Sequence, residues 1–199
     1  MSSIVTKKKS KPVGFTRKEM NEMRDFDSTT RMENELFNQV FHILIVATFY
    51  ILRWKYGYGR KRLDRFKADV AYLEEECKAD RMDMVKFVRA VDAKCGTSGE
   101  DLLKQIPVSQ IQYLTGWARK TNSMRRIAIF RKALLWWYAI SMWTLKKAFG
   151  FSQNELKWLV SYEVDLVDTL CRYKQFAVTV PMMVETVREE TGVEVCRCM

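Results

Sequence analysis

The sequence predicts an all-α protein of about seven or eight helices, arranged as two related helical units packed together. Three observations lead to that fold class. Only three prolines occur in 199 residues, no stretch alternates apolar and polar residues between turns as a strand would, and helix start and stop signals recur along the chain. With 48% hydrophobic and 13% aromatic residues, the composition is that of a protein that buries a core.

Helix starts are marked by capping boxes, in which a Ser or Thr and a Glu or Gln three residues later each satisfy a free backbone N–H. In chain order the pairs are Thr16 with Glu19, Thr30 with Glu33, Ser109 with Gln112, and Ser152 with Glu155. Helix stops are marked by glycines, placed where a left-handed cap residue would follow the last turn, at Gly57, Gly96, Gly150 and Gly192. These signals predict helices along most of the chain.

Two segments near the start of the chain are candidates for a signal or a membrane span. Residues 1–14, MSSIVTKKKSKPVG, contain lysines with no apolar core behind them, so we expect a short disordered basic arm. The apolar stretch Phe37–Leu52 is shorter than the roughly 20 residues of a span and contains Asn38, Gln39 and His42. We therefore expect a buried core helix there and no membrane partner.

The second half of the chain repeats features of the first. A shift of 93 residues places Leu52, Gly57, Leu63 and Leu73 on Leu145, Gly150, Leu156 and Leu166, and Tyr56 and Tyr58 on Phe149 and Phe151. At a shift of 96, Val88, Val91 and Gly96 fall on Val184, Val187 and Gly192. We predict an internal duplication, with an arm at 1–14, a first helical unit at 15–96, connecting helices at 97–122 and a second unit at 123–199. The alternative is chance, because leucine is common in helical proteins.

The corner of the first unit, GYGRKRLDRF at 57–66, and the end of the second, VTVPMMVETVREETGVEV at 178–195, carry a resemblance to known sequences. They resemble a widespread set of small helical proteins encoded by phages and by genomes of gut Firmicutes. In that set an aromatic residue between two glycines precedes basic residues and a leucine, and a later helix ends in Glu-Glu-Thr-Gly.

The two units each keep one part of that pattern. The first keeps the corner but ends in Lys94-Cys95-Gly96, whereas the second keeps the ending at 189–192 but has Ser152, Gln153 and Asn154 at its corner. The resemblance implies a mobile-element origin and no established activity. Small phage proteins of this size often inhibit host defences, anti-CRISPR proteins among them.

Basic residues are concentrated in two segments of the chain. The formal net charge is +10 and the pI is about 9.4, which favours anionic partners such as nucleic acid. Residues 53–67 contain seven basic residues and one acid, and residues 119–132 contain six basic residues and no acid. If both segments and the Lys7–Lys11 arm reach one face, that face would bind phosphates with a strong dependence on salt.

The predicted helix start at 59–62, Gly-Arg-Lys-Arg, is unusual because positive charge at a helix N-terminus opposes the helix dipole. We interpret it as a phosphate site, in which free backbone N–H groups and basic side chains bind an anion together. The alternative is a first turn whose N–H groups bind water and whose arginine stems pack on neighbouring residues. The predicted phosphate- and nucleic-acid-binding residues are Gly59, Arg60, Lys61, Arg62, Arg65, Lys67, Arg119, Lys120, Arg125, Arg126, Arg131 and Lys132.

Aromatic residues are interleaved with the second basic segment, at Trp117, Phe130, Trp136 and Trp137. Exposed rings there could stack on nucleic-acid bases. Their helical spacing with neighbouring apolar residues instead predicts that most of them belong to the core.

No pattern of catalytic or metal-binding residues emerges from the sequence. The single histidine, His42, lies within the apolar helix and has no evident nucleophile as a partner. The acids Glu74–Glu76, Asp80 and Asp83 resemble a solvated helix face, and Cys196 with Cys198 are too close together for a tetrahedral zinc site without further ligands. We therefore predict a non-enzyme with no cofactor and no metal.

Two functional classes remain after these exclusions. In the first, the protein binds DNA, RNA or a nucleoprotein complex through basic helix N-termini that contact phosphates. In the second, it inhibits a host defence nuclease such as Cas9, mainly by protein–protein contact. The odd number of five cysteines favours a reducing compartment, so we expect a cytoplasmic location in a host cell. Eleven methionines and six tryptophans are consistent with a homodimer formed through a long helix, or with a loose core.

Overall fold

The computed structural model describes residues 17–116 and 124–195, and in these residues every regular element is a helix. Eight helices and one short helical turn, α8, follow each other in the order α1 Arg17–Tyr56, α2 Arg60–Ala79, α3 Met84–Cys95, α4 Gly99–Gln105, α5 Val108–Leu114, α6 Met124–Ala148, α7 Gln153–Cys171, α8 Tyr173–Phe176 and α9 Val180–Thr191. The predicted all-α class and helix number are confirmed.

The core is built around the two longest helices, α1 and α6, which lie side by side and run in the same direction. Their direction follows from contacts in register, since Thr48 pairs with Trp137 and, further along both helices, Tyr58 lies against Phe149. Both helices lack glycine and proline between their ends, so nothing interrupts them. The largest fully buried side chains include Phe49, Phe66, Phe130, Trp137 and Tyr138.

The apolar stretch within α1 is the central helix of this core. By length and composition Thr30–Trp54 is the one helical segment of the described residues that could cross a membrane, and 67% of its most apolar window is buried inside the fold. It packs against α6, α7 and α9. The burial expected for Phe37–Leu52 is therefore observed.

The remaining helices pack reciprocally across the α1–α6 pair. Helices α2 and α3 lie chiefly against α6, whereas α7 and α9 lie chiefly against α1. Helix α9 begins and ends 96 residues after α3, and α7 begins 93 residues after α2. At the centre Tyr56 contacts Phe151 and Tyr58 contacts Phe149. At the shift of 93 residues Tyr56 corresponds to Phe149 and Tyr58 to Phe151, so the two contacts join corresponding residues of the two units. These contacts are consistent with the predicted duplication, which stays a prediction.

The predicted helix boundaries were right at the stops and partly wrong at the starts. Gly57, Gly96, Gly150 and Gly192 all have positive φ, and a side chain would be strained there. Ser152 and Glu155 form the predicted capping box. Thr30 starts no helix, because α1 runs through it without a glycine or proline to break it. Ser109 is also not a cap, because Pro107 occupies that position with fixed φ. Thr16 lies outside the described residues.

Candidate nucleic-acid interface

The basic corner, defined as residues 59–62 at the start of α2, is exposed and lacks a side-chain cap. Gly59 is the N-cap residue with extended backbone, and only its carbonyl takes part, accepting from the N–H groups of Arg62 and Leu63. The side chains at 60, 61 and 62 are exposed. Because no side chain caps α2, its first N–H groups remain available to an anion.

Basic residues in the following turns of α2 contact the C-terminal ends of other helices. The Arg65 guanidinium donates to the Ala148 carbonyl oxygen at the end of α6 at 3.1 Å and lies over the Phe149 ring at 5.1 Å. Lys67 donates to the Glu194 carbonyl oxygen at 2.8 Å, just after α9. Carbonyl groups at a helix C-terminus carry partial negative charge. The charge of Arg65 is therefore favourable to the dipole of α6, whereas Lys67 bonds a carbonyl group of the segment that follows α9.

The residues of the basic corner are less constrained than Arg65 and Lys67. Arg60 lies 3.6 Å from Asp64 in an ion pair whose arginine side chain is 71% exposed, and Arg62 lies 5.3 Å from the Tyr58 ring. Such exposed pairs contribute at most about 1 kcal/mol each. Lys61 projects into solvent. The predicted site residues of α2 thus divide into outward-facing ones at 60–62 and ones with packing contacts.

The second basic segment lies at the other end of the fold. Arg125 forms an ion pair with Glu33, and the Lys132 ammonium is 6.0 Å from the Phe37 ring, both near the start of the buried part of α1. Arg126 is half-buried, and Arg131 is exposed. Arg119 and Lys120 lie outside the described residues, as do Trp117, the Lys7–Lys11 arm and the cysteines at 196 and 198.

The two basic segments are not brought together. Helix α6 has 25 residues, which at about 1.5 Å per residue gives a length of about 37 Å between its basic start and the end contacted by Arg65. A continuous phosphate-binding face made of both segments is therefore not formed by the described residues. The interleaved aromatics of α6 are buried, as Phe130, Trp136 and Trp137 show.

A second exposed surface, the indole surface, consists of Tyr50, Trp54 and Lys55 of α1 with Trp158 and Tyr162 of α7. The two tryptophans are 67% and 59% exposed. The Lys55 ammonium lies 5.5 Å from the Trp54 ring and 4.7 Å from the Tyr162 ring, so it joins the two helices. The Tyr50 and Trp54 rings are 6.0 Å apart. Each of the two indoles presents a large, flat apolar area to water.

The indole surface was not predicted from the sequence, although the internal repeat indicates its position. At the shift of 93 residues, Trp54 corresponds to Lys147 and Trp158 corresponds to Arg65. Basic residues thus occupy, in one unit, the positions that exposed tryptophans occupy in the other. Helical spacing from the buried residues Leu52 and Leu159 would have placed both indoles outside the core.

The most perturbed carboxyl group is buried in the core. Glu163 of α7 is fully buried, its Oε1 lies 2.6 Å from the Thr48 hydroxyl oxygen, and the Trp137 indole N–H donates to that oxygen at 2.9 Å. Burial raises the pKa of Glu163 to about 8.

His42 lies in the middle of α1, and Asp83 caps α3 by accepting from the Val85 and Lys86 N–H groups. Residues 17–116 and 124–195 contain no group of ligands that could hold a metal ion.

A shallow apolar groove lies where α5, α7 and α9 meet. It encloses about 310 Å³ and is lined by Tyr113, Leu114, Leu170, Val178, Thr179, Val180 and Pro181. None of these side chains is an acid, a base or a thiol, so the groove has the chemistry of an apolar contact surface.

No family model, curated protein or solved structure matches the chain. The residues described above, with their contacts and charges, are therefore the basis for assigning a function.

Proposed function

We propose that the protein is a non-catalytic nucleic-acid-binding protein whose basic corner, Arg60, Lys61 and Arg62, contacts phosphates. The observation that carries the proposal is the difference between the two equivalent helix starts. Helix α7 begins with a complete capping box, whereas α2 begins with an uncapped glycine followed by three exposed basic side chains. A helix start designed only for stability would have the first arrangement.

Two features of the corner support phosphate as the anion. The Arg62 N–H donates to the Gly59 carbonyl, so the N–H groups of Arg60 and Lys61 are the ones from which a phosphate oxygen can accept. Arginine side chains can bind phosphate through two parallel hydrogen bonds, and those at 60 and 62 are exposed enough to reorient. Contacts of this kind carry no base information, so we expect affinity without sequence preference.

The experiment is a fluorescence-polarisation titration against single-stranded DNA, duplex DNA and RNA at two salt concentrations. We expect binding that weakens steeply with salt, since phosphate contacts release counterions. The triple variant R60S/K61Q/R62N replaces the three basic side chains of the corner with neutral polar ones. We expect it to bind at least tenfold more weakly and to lower the salt slope by about 2.

The matched control is K86Q/R89S/K94N, which removes the same charge from exposed positions on α3. It should bind nearly as tightly as the natural chain if the corner is a site. Equal losses in both variants would reveal diffuse attraction by net charge alone. A corner variant that folds and binds as tightly as the natural chain would remove the corner from the function.

The second candidate function is inhibition of a host defence nuclease by protein–protein contact. The observation that favours a protein partner is the apolar groove between α5, α7 and α9, with exposed Phe176 and Met182 nearby in sequence. The test is DNA cleavage by a purified RNA-guided nuclease with and without the chain. Inhibition that persists in the corner variant would favour this candidate over the first.

A further inference from the structure

The indole surface differs in chemistry from a protein-docking patch. Trp54 and Trp158 are its exposed large apolar residues, and the side chains beside them at 55, 157 and 161 are lysine, lysine and serine. Lysine and serine, the residue types beside these indoles, are depleted in protein–protein interfaces relative to the rest of the surface. Separate flat rings surrounded by ammonium and hydroxyl groups suit a flat, polar-edged and negatively charged partner.

Helical spacing places Trp158 one turn from the residues of α7 that contact the end of α1. Three and four residues away on the same face are Glu155, whose carbonyl accepts from the Tyr56 hydroxyl at 3.0 Å, and Tyr162, whose ring contacts Lys55. Trp158 lies between these two contacts and is still 59% exposed. Both indoles therefore border one seam between α1 and α7, with Lys55 in that seam.

Charge along the seam favours a polyanion. Lys55 and Lys157 are exposed, and the basic corner begins five residues after Trp54. Three acids are near these residues. Glu155 is held in the capping box of α7 with its pKa lowered by hydrogen bonds from Ser152, Glu190 is paired with Arg53 at 2.7 Å, and Asp165 is one turn beyond Tyr162. A strand crossing this seam would meet rings and ammonium groups in alternation.

We propose that Trp54 and Trp158 stack on unpaired bases of single-stranded nucleic acid, while Lys55 and Lys157 contact the phosphates between them. This inference rests on the proposed function, because it names the substrate class of the same binding protein. Bases in a duplex are already stacked on each other and present no free face to an indole. An exposed ring can stack on any unpaired base, so affinity for single strands should be largely independent of sequence.

The two units provide the test variant. W54K/W158R replaces each tryptophan with the residue found 93 positions away in the other unit, which is Lys147 for Trp54 and Arg65 for Trp158. Because those residues lie in helices, we expect the helices to tolerate the changes. It also adds two positive charges. Purely electrostatic binding would therefore become tighter, whereas binding by stacking would become weaker, by about tenfold for each ring. Titrations use single-stranded DNA, RNA of the same sequence, and duplex DNA, with thermal unfolding to check the fold.

The control is Tyr72→Lys, which removes an aromatic side chain that is 64% exposed and adds a positive charge on α2. It should bind single strands as tightly as the natural chain or more so. The conservative W54F/W158F variant keeps flat rings and should retain most of the affinity. If W54F/W158F folds and binds while W54K/W158R folds and does not bind, the loss of affinity is due to loss of stacking and not to loss of structure.

The possible outcomes are distinct. Weaker single-strand binding by W54K/W158R, with Tyr72→Lys unaffected, supports the proposal, and the DNA and RNA titrations identify which polymer is preferred. Equal or tighter binding by W54K/W158R, or equal affinity of the natural chain for duplex and single strand, overturns it. If only R60S/K61Q/R62N loses affinity, the phosphate site stands and the stacking proposal fails. Absence of all binding at low salt overturns both.

Discussion

Glu163 lies in the core with hydrogen-bonding neighbours that suit its neutral form. Thr48 Oγ1 is 2.6 Å from Glu163 Oε1, 2.9 Å from the Trp137 N–H donor and 2.9 Å from the Leu44 carbonyl oxygen. A protonated Glu163 can donate to Thr48, which then accepts from Trp137 as well and donates to Leu44, so all three hydrogen bonds form together. An ionised carboxylate would compete with Leu44 for the Thr48 hydroxyl while remaining buried.

This arrangement predicts that stability falls as the pH rises. Below the ordinary pKa of 4.5 both folded and unfolded chains are protonated at Glu163; between 4.5 and about 8 only the folded chain keeps the proton. The contribution to the free energy of unfolding therefore decreases through that window, by up to about 1.4 kcal/mol per pH unit, and is constant above it. Thr48 and Trp137, which face the carboxyl from α1 and α6, do not titrate there.

The measurement is urea unfolding of the natural chain and of Glu163→Gln from pH 5 to pH 9. The amide keeps a donor for Thr48 and carries no proton that titrates, so we expect a smaller decrease in stability between pH 5 and pH 8. Parallel curves for the two proteins would show that Glu163 does not cause the pH dependence.

Two helix starts 93 residues apart, those of α2 and α7, are stabilised in different ways. In α7 the Glu155 N–H donates to Ser152 Oγ at 3.2 Å, and the Ser152 N–H donates to the Glu155 carboxylate at 2.7 Å. In α2 the cap is Gly59, and stabilisation comes instead from Arg65 and Lys67 bonding carbonyl groups outside the helix. Helix α2 can thus keep a basic first turn because its own packing compensates the unfavourable dipole interaction.

Ser152→Ala should destabilise the protein by about 1 kcal/mol, because the first N–H groups of α7 lose their acceptor. Gly59→Ser is the companion variant, since Gly59 has φ −88° and no atom lies within 4 Å of a Cβ placed there. It should be neutral or stabilising by a few tenths of a kcal/mol. Thermal and urea unfolding give both values. A Ser152→Ala variant as stable as the natural chain would contradict the structural role of the capping box.

In the whole molecule, helices of each half pack on the long helix of the other half. Helices α2 and α3 bury their apolar faces on α6 of the other half, and α7 and α9 bury theirs on α1. Neither half can therefore complete a core from its own helices. The duplication stays a prediction, and the reciprocal contacts of Tyr56 with Phe151 and of Tyr58 with Phe149 support it.

Separate chains of residues 17–116 and 124–195 should not fold as monomers. Each would expose the surface that the other covers, and we expect either little cooperative structure or self-association when each is alone. On mixing, helical content and a cooperative unfolding transition should appear with a complex of one copy of each. Circular dichroism and size-exclusion chromatography measure this, and a folded monomer of either piece would contradict the reciprocal packing.

The mobile-element origin implied by the family resemblance and the nucleic-acid or nuclease partner stay predictions. The basic arm, the homodimer and the cytoplasmic location also stay predictions. The long helices α1 and α6 pack on each other and on the other helices within one chain, so a dimer would have to use other faces. Exposed methionines at 32, 124 and 182 are available for such contacts.

By itself, the sequence determined the helical class, the four glycine stops and the capping box at Ser152, because these depend on residues within one or two turns. It also located the basic corner. The fold alone shows that Arg65 and Lys67 bond the carbonyl groups of residues 148 and 194, that the two basic segments lie at opposite ends of α6, and that Lys55 joins Trp54 to Tyr162 of α7. Those facts depend on which helices meet, and that is set by burial of apolar faces between distant residues, which local spacing does not encode.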